Sequence, residues 1–273
     1  SIKEQVATAK AALETLITGA ISDLSGNLSG ADYTTVRALS DAIGSYADMV
    51  SDSTASSGSA SLYANFNSLL NTLKGRGILS TIAEAHTLQS NTSADPLHVL
   101  LANYRVEDSW ENISQYLSSG HTASDVAFVN AKDVIVSGGS IQSASDAGLL
   151  LNLHVNLSAS TYNVADTAAH LTAYSTFPVQ VLENATDVHV TGTTNFTQAT
   201  ALMGMGNKGV TTFDAVSVTY AQVAAMPVTT NDVITNLTVS GFDLSGKSVV
   251  VDLSQFNVET NITFVGKRGY ETI

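Results

Sequence analysis

The chain has 273 residues, 24 Asp and Glu against 11 Lys and Arg, a net charge of −13 and no cysteine. Such an acidic balance disfavours nucleic acid and anionic membranes, which are polyanions. The lack of cysteine excludes a disulfide framework and thiolate chemistry. Charged residues are 13% of the chain, about half the usual share. Ser, Thr, Asn and Gly fill the polar surface instead, which points to a bacterial or archaeal protein exported beyond the cell. No apolar run reaches the ~18 residues of a membrane span, and "SIKEQVATAK" has no signal-peptide core.

Residues 1–121 read as helices. Ser1 and Glu4 form a capping-box pattern, and Val6, Leu13, Leu16, Ile17, Ala20, Ile21 and Leu24 recur at helical spacing. "SGNLSG" ends this helix. A second carries Tyr33, Val36, Leu39, Ile43 and Tyr46 on one face; "SDSTASSGSAS" is a loop; a third carries Leu62, Phe66, Leu69, Leu70 and Leu73. A short helix is expected over 78–85. Asp95-Pro96 is a helix start, and a last helix runs near 108–117 with Trp110, Ile113 and Tyr116 inward. The expectation is an N-terminal all-α helical bundle, serving as an anchoring or docking domain.

From residue 122 the period changes. "DVIVSG", "DVHVTG" and "TNLTVSG" share a strand pattern, with "STYNVAD" and "TTFDAVS" between them. Short apolar helical stretches such as "SASDAGLLLNL" and "TQATALMGM" follow the strands. A strand and a helical turn every ~25 residues must stack on neighbours to bury its face. Residues 122–273 are therefore expected to form a parallel strand–helix solenoid, resembling a leucine-rich-repeat arrangement and passing into a β-solenoid at "TNITFVG". An ordinary α/β sheet is the competing architecture; the long helices and Gly-rich phosphate loops that commonly accompany it are not found.

The ending "GKRGYETI" resembles the calcium-binding nonapeptide of RTX-type secreted proteins. Gly266, Gly269 and Ile273 match, Glu271 stands in place of Asp, and Lys267 in place of the second Gly. "YNVADTAAHL" looks like a recurring element of very large bacterial surface proteins exported by type I secretion. The layout is also similar to some S-layer proteins, with a lipopolysaccharide-gripping helical domain before a calcium-bound β-solenoid. The resemblance implies calcium at Gly266, Gly269 and Glu271, and a chain that continues past residue 273. It further implies an extracellular S-layer subunit that holds cell-surface polysaccharide or lipopolysaccharide and assembles with copies of itself, or a large adhesin.

No catalytic motif stands out. There is no HExxH, no Gly-X-Ser-X-Gly elbow, and "GMGNKG" lacks the ending of a phosphate loop. Asp133, Asp166 and Asp187 recur near strand ends, where they either collect calcium along one edge or cap the following turn. Glu107 and Glu111 flank Trp110; the cluster reads either as an acidic helix start over a core indole or as a glycan site, since sugars are held by carboxylates beside an aromatic ring. Three function classes follow: a non-enzymatic surface protein, a carbohydrate-binding or carbohydrate-active module, and a trimeric viral fibre segment.

Overall fold

The computed structural model describes residues 2–24, 28–29, 31–51, 59–243, 250–256 and 259–267. The chain divides into two compact units, Ser1–Asp108 with Gln115–Ile135, and Ser109–Ser114 with Val136–Ile273.

The first unit opens with three helices, α1 (Ile2–Leu24), α2 (Asp32–Ser51) and α3 (Ser59–Arg76), where apolar spacing puts them. Their facing stripes bury Ile17, Val36, Ile43, Leu62, Phe66 and Leu73 almost completely. The expectation of an all-α bundle is overturned at this point. Strand β1 (Ile78–Ser80) forms where a helix was expected, α4 (Ile82–Ser90) starts only after it, and Pro96–Ala102 is a 3-10 turn. Strand β2 (Tyr104–Asp108) follows and pairs parallel to β1, with Ile78 opposite Tyr104 and Ser80 opposite Val106. After α5 (Trp110–Ser118) and α6 (Val126–Val129), β3 (Val134–Val136) completes a three-stranded sheet in the order β1-β2-β3. Tyr-Arg-Val-Glu-Asp alternates buried and half-buried positions, the period of a strand.

Two buried polar residues tie these elements together. The Asp32 side chain, 1% exposed, takes Arg76 Nη2 at 2.7 Å and the backbone N–H groups of Ser29 and Leu79 at 3.2 and 3.4 Å on one carboxylate oxygen. One carboxylate thereby joins the start of α2, the end of α3 and β1. The fully buried Tyr104 hydroxyl accepts from Gln89 Nε2 and lies within bonding distance of the Val126 and Ala127 carbonyls.

The second unit is built on a six-stranded, all-parallel sheet in strict chain order: β4 (Ser140–Ile141), β5 (Asn163–Thr167), β6 (Val188–Asn195), β7 (Thr211–Thr219), β8 (Asp232–Asp243) and β9 (Asn261–Lys267). The connections carry α7 (Ala144–Asn152), α8 (Ala168–Leu171), α9 (Val179–Glu183), α10 (Phe196–Met203) and α11 (Tyr220–Val223). Register stacks like on like. Val190, Phe213 and Ile234 form one buried column, and Thr194, Val216 and Leu237 another.

The solenoid expectation is corrected accordingly. The chain is an α/β protein with one three-stranded and one six-stranded parallel sheet, and no β-solenoid is evident among the described residues. Long helices are not needed for an α/β sheet here. A parallel crossover needs about a dozen residues in total, and loop supplies what a four-residue helix does not. One loop is held by Lys208, whose Nζ donates to the carbonyls of Leu157, Ser158 and Ser160 at 3.1, 3.1 and 2.7 Å.

Removing one partner of a buried ion pair leaves the other charge uncompensated. Asp32→Ala is expected to cost about 3–5 kcal/mol in urea unfolding of the first unit, and Asp32→Ala combined with Arg76→Met to recover most of it. Equal losses in the single and double variants would show that packing rather than charge pairing holds this junction.

Candidate functional site

The residues singled out from the sequence are placed as follows. Gly266 lies in β9; Gly269 and Glu271 lie outside the described residues. Asp133 directly precedes β3, and its backbone carbonyl accepts from Val106 N–H. Asp166 accepts its neighbour Thr167 N–H at 2.7 Å and pairs with His170 Nδ1 at 2.9 Å. Asp187 accepts Val210 N–H at 2.8 Å. Asp166 thus bonds to local backbone, as a turn-capping carboxylate does, whereas Asp187 reaches across to the chain that leads into β7. Among the described residues, no three His, Asp or Glu side chains converge on a point that holds a metal ion.

Trp110 is 3% exposed, so its indole packs as core. Glu111 lies against Gly139, whose φ of +92° and nearness to the Glu111 carboxylate and Trp110 Cβ admit no side chain. Glu107 is half-buried on β2, in the other compact unit.

Other groups do come together. In the first unit, Tyr116 OH sits 2.8 Å from His86 Nδ1 and donates to Asp125 Oδ2 at 3.3 Å, and His121 Nδ1 lies 2.7 Å from the same oxygen. The Tyr116 and His121 rings stack at 3.9 Å. Burial, aided by Asp125, pushes the Tyr116 phenol up to about 12. Burial works to raise the Asp125 carboxyl, but the hydrogen bonds from His121, Thr122 and Tyr116 outweigh it and hold it below the ordinary value. A carboxylate accepts only, so the Tyr116 proton is committed to Asp125 and His86 Nδ1–H donates to the phenol oxygen. This fixes both imidazole tautomers.

In the second unit, two features lie on the solvent side of the six-stranded sheet. His189 Nε2 meets Asp214 Oδ1 at 2.7 Å across β6 and β7. The other Asp214 oxygen takes the N–H of Gly192, the residue that opens a bulge in β6 with φ +72°. The bond to His189, then that to Gly192, hold the Asp214 carboxyl below its ordinary range.

The second feature is an open groove of about 400 Å³ where β6, β7 and β8 meet the starts of α10 and α11. Asn195, Gln198, Ser217, Thr219, Gln222 and Ser240 line it, with half-buried Phe196 at one side and, among the described residues, no ionisable side chain. Two helix caps set its chemistry. Asn195 and Gln198 make a reciprocal box: Gln198 N–H donates to Asn195 Oδ1 at 3.0 Å, and Asn195 N–H to Gln198 Oε1 at 3.4 Å. Thr219 N–H donates to Gln222 Oε1 at 2.8 Å.

Single-sequence reasoning passed over these sites. His121 with Asp125, and Asp166 with His170, carry a local signal, a four-residue spacing. The groove and the His189–Asp214 pair are made by register between residues more than twenty apart, which leaves no local trace. Comparison with known protein families, with characterised proteins and with solved structures finds no match to this chain.

The depressed Asp214 carboxyl has a pH signature. A group whose folded pKa is lowered contributes stability that is full above its unfolded value, here about 3.8, and is lost as pH falls through the lower folded value. Carbon NMR titration of the Asp214 carboxyl is expected to give a midpoint below 3.8, and His189→Ala to move it upward. A midpoint at or above 3.8 in the parent protein would show that the His189 and Gly192 bonds do not persist in solution.

Proposed function

We propose that this chain is a non-catalytic, extracellular structural protein, a surface-layer subunit. The observation that carries the reading is the six-stranded parallel sheet in strict chain order, whose last described strand, β9, has a partner on one side only among the described residues. An unpaired strand edge is a template for another chain. Val265 on β9 is 50% exposed, and Ile262 and Phe264 are half-buried, so this margin carries apolar surface suited to a second copy. Copies joined at such margins extend an array.

The composition supports the same reading. Absence of cysteine and a surface of Ser, Thr and Asn suit a protein outside a bacterial cell. The net charge of −13 makes copies repel one another until a divalent cation screens it, so assembly depends on calcium. The helices of residues 1–121 hold the subunit to cell-surface polysaccharide or lipopolysaccharide. No described helix is long and apolar enough to cross a membrane.

The test uses the native protein purified from its own source. In about 1 mM calcium, the level that extracellular calcium modules sense, sedimentation and electron microscopy are expected to show ordered arrays that a chelator disperses. Fractionation is expected to place the protein at the cell surface. A protein that stays monomeric at every calcium level, or that is confined to the cytosol, would refute the proposal.

A further inference from the structure

The geometry points to the groove between β6, β7, β8 and the starts of α10 and α11 as a binding site for a neutral saccharide. This inference is separate from the surface-layer proposal, and neither depends on the other.

A carboxamide carries one acceptor and two donors. Backbone N–H groups occupy the oxygens of Asn195, Gln198 and Gln222, which settles which end of each side chain is oxygen. Among the described residues the three NH₂ groups are thus left as donors without a protein acceptor, all on the lining of one groove. The caps that end the strands also orient the donors, so little side-chain freedom remains to be lost on binding.

The hydroxyls complete the pattern. Register sets Ser217 opposite Asn195, and Ser240 opposite Thr219. Neighbouring strands are about 4.8 Å apart, so these groups recur at roughly the length of one pyranose ring. Ser240 Oγ donates to the Val218 carbonyl at 3.2 Å, which leaves its lone pairs as acceptors. Fixed amide donors, adaptable hydroxyls and the half-buried ring of Phe196 match a sugar, whose hydroxyls both donate and accept and whose ring has an apolar C–H side.

Other ligand classes fit less well. An anion is favoured by a positive charge, and among the described residues no ionisable side chain lines the groove, while the cap residues' N–H groups are already taken by the amide oxygens. A hard cation needs oxygens, but the amide oxygens are already engaged by N–H donors. A peptide recognised by strand addition needs an open edge, and β7 is paired on both sides.

The experiment titrates the full chain, followed by NMR, with four neutral hexasaccharides: β-1,4-glucose, α-1,4-glucose, β-1,4-mannose and β-1,4-N-acetylglucosamine. At least one is expected to bind with a Kd tighter than about 1 mM. It should shift the side-chain amide signals of Asn195, Gln198 and Gln222, and the Kd should hold between about 50 and 500 mM NaCl, because no ion pair forms. The key variant is Gln198→Glu with Gln222→Glu. Each carboxylate still accepts the capping N–H, so the fold is kept while two of the three donors are lost and only the Asn195 amide remains. Binding is expected to weaken at least about tenfold. Should that variant fail to fold, Thr197→Arg, at an exposed position on the rim, is expected to block the same sugar. The inference is overturned if none of the four sugars binds within that limit, if binding is salt-sensitive, or if a folded variant binds as tightly as the parent.

Discussion

Parallel pairing of consecutive strands governs the second unit. Two parallel neighbours cannot be joined by a hairpin, so the chain must leave the sheet after every strand, cross one face and return to the same end. The ends of β4 to β7 thus become strand-to-helix turns, and those after β6 and β7 lie side by side. The inward columns fix how they line up. A slip of one residue between β7 and β8 would turn Phe213, Val216 and Val218 away from Ile234, Leu237 and Val239. The groove exists because this register brings Asn195, Thr219 and Ser240 to one margin.

Within that frame, capping does two things at once. The first N–H groups of a helix lack partners in the helix, and a polar side chain at the turn satisfies them. At α10 the acceptor is the Asn195 carboxamide, and in return Gln198 at α10 and Gln222 at α11 accept the cap residues' own N–H groups; the other end of each amide is a donor. Satisfying the helix start therefore points NH₂ groups at solvent in a fixed direction. Carboxylates satisfy backbone donors elsewhere: Asp166 accepts the N–H of its neighbour Thr167, and Asp187 accepts Val210 N–H, 23 residues on, just ahead of β7. In the first unit a single carboxylate, Asp32, performs the equivalent task over a longer range by joining two helices and a strand.

Much of this was legible in the residues. Ile17, Val36, Phe66 and Leu73 recur at helical spacing because one helix face must be apolar, and they are core. The alternation in "DVHVTG" and "TTFDAVS" marks β6 and β7 because their outer side faces water. The three-residue β1 and two-residue β4 are too short to show any period. Tyr104–Asp108 does alternate, but Glu107, Asp108 and Glu111 also fit the acidic start of a helix near 108–117, and that pattern hides the strand. That omission produced the all-α expectation for the first half. The α/β class was set aside for lack of long helices, yet the crossovers here are short. Candidate sites were the least legible part. Trp110 beside two glutamates looks like a sugar platform in sequence and is interior in the structure, whereas Gln198 and Gln222 look like ordinary helix residues.

The central claim is that the in-register parallel ladder is the cooperative element of the second unit. Native-state hydrogen exchange tests it most directly, because paired strand amides in one cooperative block open together. The account predicts that the amides of β6, β7 and β8 are the slowest in Ser109–Ser114 with Val136–Ile273 and share one opening free energy. Fast exchange in β7, or protection confined to α7 and α10, would contradict it.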